Sequence, residues 1–410
     1  MNKKNFLEGM VVGIVLIMAL NMLIYFVLPA MNISPIHTRS TGFDNSARDK
    51  LNMIYRIIDT HFVDDFDIAD LERGMFMGLM YGLGDRYSTY MCAREFAAFN
   101  EQTEGVYPGI GAIVTNSEDG RVMVVAPFDG TPAQAAGIMP QDIIFAVDGV
   151  DTRNLGLEVV VSMMRGEAGT SVTLTILRES EVQPFDIEII RDHIVMQTVS
   201  YRMLTDDIGY IRLSGFERVT YSQFVEALQS LKNQGAEGFI FDVRNNPGGL
   251  LDIVGDITNL LVPEGNIVFT EDRRGHQRFM RSDADYLGIP LVLLVNGNSA
   301  SASEVMAGAI RDHGVGVIVG EQTFGKGLVQ TVFSLDDGSA VKLTVARYYS
   351  PGGTSIHGEG ITPDYIVPME PELTARITAL TIEEDVQLKK AVDIMEGMLM
   401  EELHSIARTG

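Results

Sequence analysis

The chain has 410 residues with 31 Lys and Arg against 55 Asp and Glu, a formal net charge of −24, and it is 46% hydrophobic. That length supplies two or three folded domains rather than a disordered chain, and the acidic excess excludes phosphate-backbone (nucleic-acid) binding and adhesion to anionic lipid by a basic face. One cysteine, Cys92, and seven scattered histidines exclude an intrachain disulfide and a cysteine zinc cluster and show no metal-ligand spacing, so neither a metal nor a cofactor is expected.

Residues 1–9 carry Lys3 and Lys4, and no charged residue occurs from Gly9 to Ile36. The apolar run 10–30 spans a hydrocarbon core of about 30 Å at about 1.5 Å per helical residue. It is longer than the usual apolar region of a cleaved signal peptide and lacks a small-x-small cleavage site. The run is therefore read as an uncleaved transmembrane signal anchor. The lysines before it leave the N-terminus in the cytoplasm. This predicts a single-pass protein of a bacterial cell membrane with its bulk on the extracytoplasmic side. Residues 31–43 form a linker.

Residues 44–104 read as a helical segment. Leu51, Ile54, Tyr55 and Ile58 recur at helical spacing, and the apolar stretch Gly74 to Leu83 predicts helix packed against helix. In 105–190 the pattern changes. Asp119-Gly120 and Asp148-Gly149 mark turns between strand-like runs at Val122–Ala126, Ile143–Val147 and Val172–Leu177. In 191–370, strand-like runs (Phe239–Val243, Leu291–Val295, Val315–Val319) alternate with helical stretches (Tyr221–Asn233, Ala302–Asp312), which predicts an α/β layer fold. In 371–410, Leu388, Ala391, Val392 and Met395 lie at helical spacing, as in a docked or partner-facing helix.

Three stretches of the middle region carry one resemblance: YPGIGAIV (107–114), GTPAQAAGIMPQDIIFAVDGVD (130–151) and MMRGEAGTSVTLTILR (163–178). Together they resemble a PDZ domain. Gly109 and Gly111 let backbone N–H groups turn inward as a nest for a terminal carboxylate, with Ile110 and Ala112 between and after them. An extended peptide would then add as a strand beside Ile110 to Val114. The plainer reading, that these glycines only make a tight turn, loses force with all three stretches present.

Three further segments carry chemistry. Asp242 to Gly249 ends in Asn246-Pro247-Gly248-Gly249 after an apolar run, a turn whose exposed amides suit an oxyanion. Next, Asn296 to Glu304 contains Ser299-Ala300-Ser301-Ala302-Ser303-Glu304 between a strand and a helical stretch. A serine there points outward near a helix N-terminus, where free N–H groups favour negative charge. Capping is the bland alternative, since serine with Glu304 near the third helical position is a capping-box pattern. Both hold together if Ser303 or Ser299 caps and Ser301 reacts. The third segment is Gln322 to Gln330, with Lys326 between Gly325 and Gly327. A lysine against apolar walls can lose its proton near neutral pH and act as a base. Phe324, Leu328 and Val329 are candidates for that wall, and Glu304 and Asp312 are not expected to pair with the ammonium. Gln330, four residues on, can orient the amine without adding charge. The phosphate-loop spacing is absent because Gly327 follows the lysine. His313, the alternative base, stands twelve residues past Ser301, at the far end of the helix.

At this point the order of SASASE, FGKGLVQ and NPGG resembles that of the C-terminal processing peptidases, over roughly 44–400. The resemblance implies that Ser301 is the nucleophile, Lys326 the base and Gln330 its orienting partner. It also implies oxyanion amides at Gly248 and Ala302. The fold it implies is a crotonase/ClpP-like α/β protease core with an inserted PDZ-like domain. AREFAAFNEQTEGVYPGIG and ARYYSPGGTSIHGEGITPD match as well, whereas LGDRYSTYM (83–91) departs from the family's pattern and bears on packing rather than chemistry. The function implied is a membrane-anchored endopeptidase acting on polypeptides with accessible C-termini. A homo-oligomer is allowed. Two rivals are weighed. A silent PDZ scaffold is opposed by the intact Ser301–Lys326–Gln330 set. An acyl-CoA enzyme of the crotonase type is opposed by the external location and the PDZ segment.

Overall fold

The computed structural model describes residues 44–117 and 119–409. The expected anchor at 10–30 lies outside them, and among the described residues no helix is long and apolar enough to cross a membrane. The chain divides into two units, residues 1–72 and 73–410. In the first, Asp44 Oδ1 accepts the Ala47 N–H at 2.8 Å and caps the helix Asn45–His61. A side-chain acceptor at this place satisfies one of the helix's orphan donors. The predicted apolar face exists, but Leu51, Ile54 and Tyr55 on it are exposed.

The second unit contains most of the helix Ile68–Tyr81, then β1 (Thr89–Met91), the helix Ala93–Glu104 and β2 (Val106–Gly109). In the apolar stretch Gly74 to Leu83, Met75, Met77 and Leu79 are exposed, and Phe76 packs on Tyr90 with ring centroids 5.0 Å apart. Moreover, β1 makes a strand inside the segment read as helical. Thr-Tyr-Met is a β-prone triplet, and what captures it is a partner strand of the core far along the chain.

The middle region folds as β3 (Ala112–Asn116), β4 (Val122–Pro127), β5 (Ile143–Val147), β6 (Val150–Asp151), the helix Leu157–Met164, β7 (Ser171–Leu177) and β8 (Phe185–Ile190). The sheet order is β3-β4-β5-β7-β8, with β6 on β5. Asp148 and Gly149, both at positive φ, turn β5 into β6 as the Asp-Gly signal predicts. Alternate residues of β7, Val172, Leu174 and Ile176, enter this domain's own core, as period-two burial requires. β9 (Asp192–Val195) pairs with β2 and so closes the domain's entry and exit.

The α/β region follows as β10 (Val199–Met203), β11 (Ile208–Leu213), β12 (Gly238–Asp242), β13 (Gly265–Asp272), β14 (Gln277–Ser282), β15 (Leu291–Val295), β16 (Val317–Gly320), β17 (Leu328–Ser334), β18 (Ala340–Tyr349) and β19 (Tyr365–Ile366). β16 starts two residues later than its apolar run, because left-handed Gly314 caps the preceding helix and leaves Val315 in the connection. One sheet runs β10-β11-β12-β15-β16-β19, parallel except for β10. Every residue of β12 and β15 is buried, the mark of a sheet covered on both faces. Phe239, Phe241, Leu291 and Leu293 face one layer of helices, while Ile240, Val292 and Leu294 face the C-terminal helix Val386–Thr409. A second sheet runs β1-β18-β13-β14 with β17 on β18.

The parallel register sets Asp242 beside Leu294 and Val295 beside Gly320. The three strands therefore end level, and the segments 245–249, 296–301 and 322–326 leave from one edge. Ligand sites of open α/β sheets lie at this carboxyl edge.

The C-terminal helix is docked through Leu388, Ala391, Met395 and Leu399, worth roughly 1.5–3 kcal/mol for each large side chain. A buried ionic cluster sits at its start. Arg244 Nη1 and Nη2 donate to the Asp385 carboxylate at 2.8 Å each and Nη2 donates to Asp242 Oδ2 at 2.7 Å, while Tyr210 Oη donates to the same Asp242 oxygen at 2.6 Å. Burial by itself would raise the Asp242 carboxyl, but the Arg244 and Arg212 charges outweigh it and hold it low. Asp385→Ala leaves the fully buried Arg244 with one carboxylate and the Gln387 amide oxygen, which accepts from Nη1 at 3.0 Å. Removing one member of a buried ion cluster costs about 3–5 kcal/mol. Urea unfolding should show that loss in midpoint at constant slope, and an unchanged midpoint would show the cluster to be energetically silent.

Candidate active site

Ser301 stands at the exit of the loop after β15, immediately before the helix Ala302–His313. Its φ of 58° and ψ of −112° lie where residues with a Cβ are rarely found, at a cost of order 1–3 kcal/mol. Surrounding bonds fix this geometry. Asn246 O accepts from Ala300 N–H at 3.0 Å and from Ser303 Oγ at 2.9 Å. Ser299 Oγ donates to Val243 O at 2.7 Å. The predicted capping role of Ser303 or Ser299 is thus corrected: both lock the serine loop to the segment after β12. The N-cap residue is Ser301 itself, because it is the last residue outside helical geometry.

Glu304 is fully buried and organises the site. Its Oε2 accepts the backbone N–H of Ser301 at 2.9 Å and of Lys326 at 2.8 Å. Its Oε1 accepts Thr323 Oγ1 at 2.6 Å and the Gly325 N–H at 2.7 Å. Four donors fill the acceptor capacity of a carboxylate, which is what permits a buried charge here. Among the described residues Glu304 is in no ion pair with the Lys326 amine. It holds that residue's backbone instead. The capping-box spacing signalled half of this role, the reach to the Ser301 N–H, while the reach to 323–326 is tertiary.

Lys326 is half-buried, with Nζ over the ring of Tyr87 at 4.8 Å from the centroid. Its amine is shifted below the ordinary lysine range. Burial is the main cause and the positive charge of Lys342 the next, against the opposing pull of Glu304 and Asp85. Of the residues expected to wall it, Phe324 is 48% exposed, Leu328 is buried and Val329 is partly buried against the core. The ring over Nζ belongs to Tyr87, in the stretch 83–91 whose departure from the family's pattern bears, by sequence, on packing alone. That stretch is pinned beside the lysine: Asp85 accepts from Tyr87 N–H at 3.1 Å and from Ser88 Oγ at 2.5 Å, and Ser88 Oγ accepts the Thr344 N–H of β18 at 3.0 Å.

Gln330 lies on β17, its Nε2 donating to Leu328 O at 3.3 Å and Thr344 Oγ1 at 3.4 Å. Among the described residues no hydrogen bond joins Lys326 Nζ to Ser301 Oγ or to Gln330. Such bonds are often long before substrate arrives. Gly248, at φ 109°, packs directly on the serine: a Cβ there would stand 2.8 Å from Ser301 Cβ and 3.0 Å from Ala302 N. Its N–H donates to Asn246 Oδ1 at 2.9 Å. Ala302 N–H, first in its helix, has no intrahelical acceptor. His313 is at the other end of that helix, about 18 Å away along its axis, with Nε2 2.8 Å from Asn266 O.

In the middle domain, Gly109 ends β2 and pairs with Asp192. Gly111 has φ 80°, and a Cβ on it would stand 2.5 Å from Thr131 Cβ. Ile110 O accepts from Ala133 N–H at 2.8 Å and Gly111 O from Phe128 N–H at 2.9 Å, which fixes the loop. Ala112 opens β3, two residues later than the predicted strand start, because the positive φ of Gly111 interrupts the extended run. β3 is an edge strand.

Residues 207–367 match the model of peptidase family S41, and residues 108–189 match that of the PDZ domain. The carboxy-terminal-processing protease of Bartonella bacilliformis is 40% identical over 322 residues, 77% of this chain and 73% of that protein. The carboxy-terminal processing protease CtpA of Bacillus subtilis is 37% identical over 334 residues, 81% and 71% of the two chains. In fold the chain is similar to a putative S41 protease from Bacteroides fragilis, with a TM-score of 0.50 at 15% identity, covering 88% of this chain and 99% of that one. A serine-type peptidase core joined to a PDZ domain, with relatives of this likeness over most of their length, makes the chain a member of the C-terminal processing peptidases of family S41.

Proposed function

We propose that the chain is a membrane-anchored endopeptidase in which Ser301 is the nucleophile and Lys326 its base. The observation that carries this reading is the shared Glu304 carboxylate, which holds the backbones of Ser301 and Lys326 on one oxygen. Neutral Lys326 Nζ takes the Ser301 hydroxyl proton as Oγ attacks the scissile carbonyl. The oxyanion is met by the Ala302 N–H and by the Gly248 N–H, which exchanges Asn246 Oδ1 for it. The C–N bond breaks as the Lys326 ammonium returns its proton to the leaving amine. Water, deprotonated by the same amine, then hydrolyses the acyl-enzyme. Gln330 orients the amine once substrate is bound. Three parallel-strand ends converging under a helix support reading the core as crotonase/ClpP-like.

The substrate's C-terminus adds as a strand to the free edge of β3, with its carboxylate at the amides of Gly109, Ile110, Gly111 and Ala112. The uncharged run 10–30 anchors the chain in a bacterial cell membrane, and Lys3 and Lys4 leave the catalytic region outside.

Arginine keeps the charge of lysine but does not deprotonate in a protein. Lys326→Arg should fold and lose turnover of a flexible protein substrate as completely as Ser301→Ala. Substantial turnover by the arginine variant, with Ser301→Ala dead, removes Lys326 as the base. Because the amine must be neutral, wild-type kcat should rise with pH through a pKa below that of free lysine.

A free carboxylate bound by backbone N–H groups gains roughly 1.5–3 kcal/mol from charge-assisted hydrogen bonds. Amidating the C-terminus of a substrate peptide should therefore weaken its binding tenfold or more in a titration. Equal affinity of acid and amide rules out carboxylate capture.

For topology, protease added to cells with opened outer layers should digest a tag at the C-terminus. A tag protected until the membrane is dissolved reverses the orientation.

A further inference from the structure

Tyr348, on β18, is 2% exposed. Its phenol donates to the carbonyl oxygen of Lys326 at 2.6 Å, and its N–H donates to Gly327 O at 3.1 Å. Those two bonds hold the lysine's segment on its carbonyl side, as Glu304 holds the N–H side of Lys326 and Gly325. The phenol has one proton, and it is spent on Lys326 O. Burial holds the phenol far above its ordinary range, so it stays protonated at working pH and the donation to Lys326 O persists.

Resting on the assignment of Ser301 and Lys326 above, we propose that Tyr348 is a positioning residue for this chemistry: its buried hydroxyl fixes the Lys326 backbone and so the place of the amine. The rest of the Lys326 surroundings are Tyr87 over the amine, the positive Lys342 and Arg86, and the negative Glu304 and Asp85. Without the Tyr348 hydroxyl Lys326 O loses its tether, and only the bond from the Tyr348 N–H to Gly327 O still holds the carbonyl side. The amine then moves toward solvent, and its pKa climbs toward the ordinary lysine value. A base must be neutral, so the acid limb of the kcat–pH profile moves to higher pH.

The test compares full-length wild type with Tyr348→Phe, which keeps the ring and removes only the hydroxyl, on a flexible protein substrate. Ser301→Ala and Lys326→Arg serve as controls and thermal melts are recorded for each protein. The expected result is a kcat lowered by about 100-fold, the cost of a misplacement of about 1 Å, with KM within about twofold and the acid limb displaced upward. Loss of stability with an unmoved limb assigns Tyr348 to packing and overturns the proposal, as does wild-type kcat. Should Tyr348→Phe fail to fold, 3,5-difluorotyrosine placed at 348 keeps the shape and alters only the phenol. It should change kcat at an unchanged melting temperature, and an unchanged kcat overturns the proposal. Activity surviving in Ser301→Ala or Lys326→Arg instead defeats the underlying assignment, a separate outcome.

Discussion

The Glu304 carboxylate carries the geometry of this site. It lies inside the protein with four donors, two of them the backbone N–H groups of Ser301 and Lys326. A buried carboxylate is tolerated only when its lone pairs are filled. The folded state therefore has to bring the serine loop and the lysine segment to the same point. Function and folding thus make the same demand on these two segments. The positive φ of Ser301 is tolerated under the same constraint, because the bonds of Glu304, Asn246 and Ser299 leave the backbone no relaxed alternative.

The carboxylate also separates two effects on Lys326. Glu304 is close enough to favour the ammonium, yet its oxygens are committed to backbone N–H groups and no ion pair forms. Burial and Lys342 outweigh it, and the amine shifts downward. Tyr87 adds a ring face that attracts a cation. The net bias is toward the neutral amine, the form that the proposed base role requires.

Behind the site, the segment that follows β12 is held from two sides. Arg244 anchors it to Asp242 and to Asp385 at the start of the C-terminal helix. Asn246 ties it to the serine loop through its backbone oxygen and to Leu213 O through its side chain. Gly248 can then approach Ser301 because it has no Cβ. The apolar docking of the C-terminal helix and the placement of a candidate oxyanion amide are parts of one packed layer.

Local patterns in the chain determined much of this. Runs such as Leu291–Val295, apolar throughout, can only be strands covered on both faces. The Asp148-Gly149 pair allows little but a tight hairpin, and a serine followed by helix-forming residues predicts a helix N-terminus. These depend on neighbours within a few positions, so the order of residues suffices. Tertiary structure alone decided the rest. Thr89–Met91 became a strand because β18, some 250 residues later, offered a free edge. Tyr87, rather than Phe324, covers Lys326 because Asp85 and Ser88 tie its loop to that strand. Tyr348 reaches Lys326 O only because β18 pairs antiparallel with β17, the strand that the lysine segment leads into. Each of these contacts joins residues distant in the chain, and its energy exists only once the sheets have assembled.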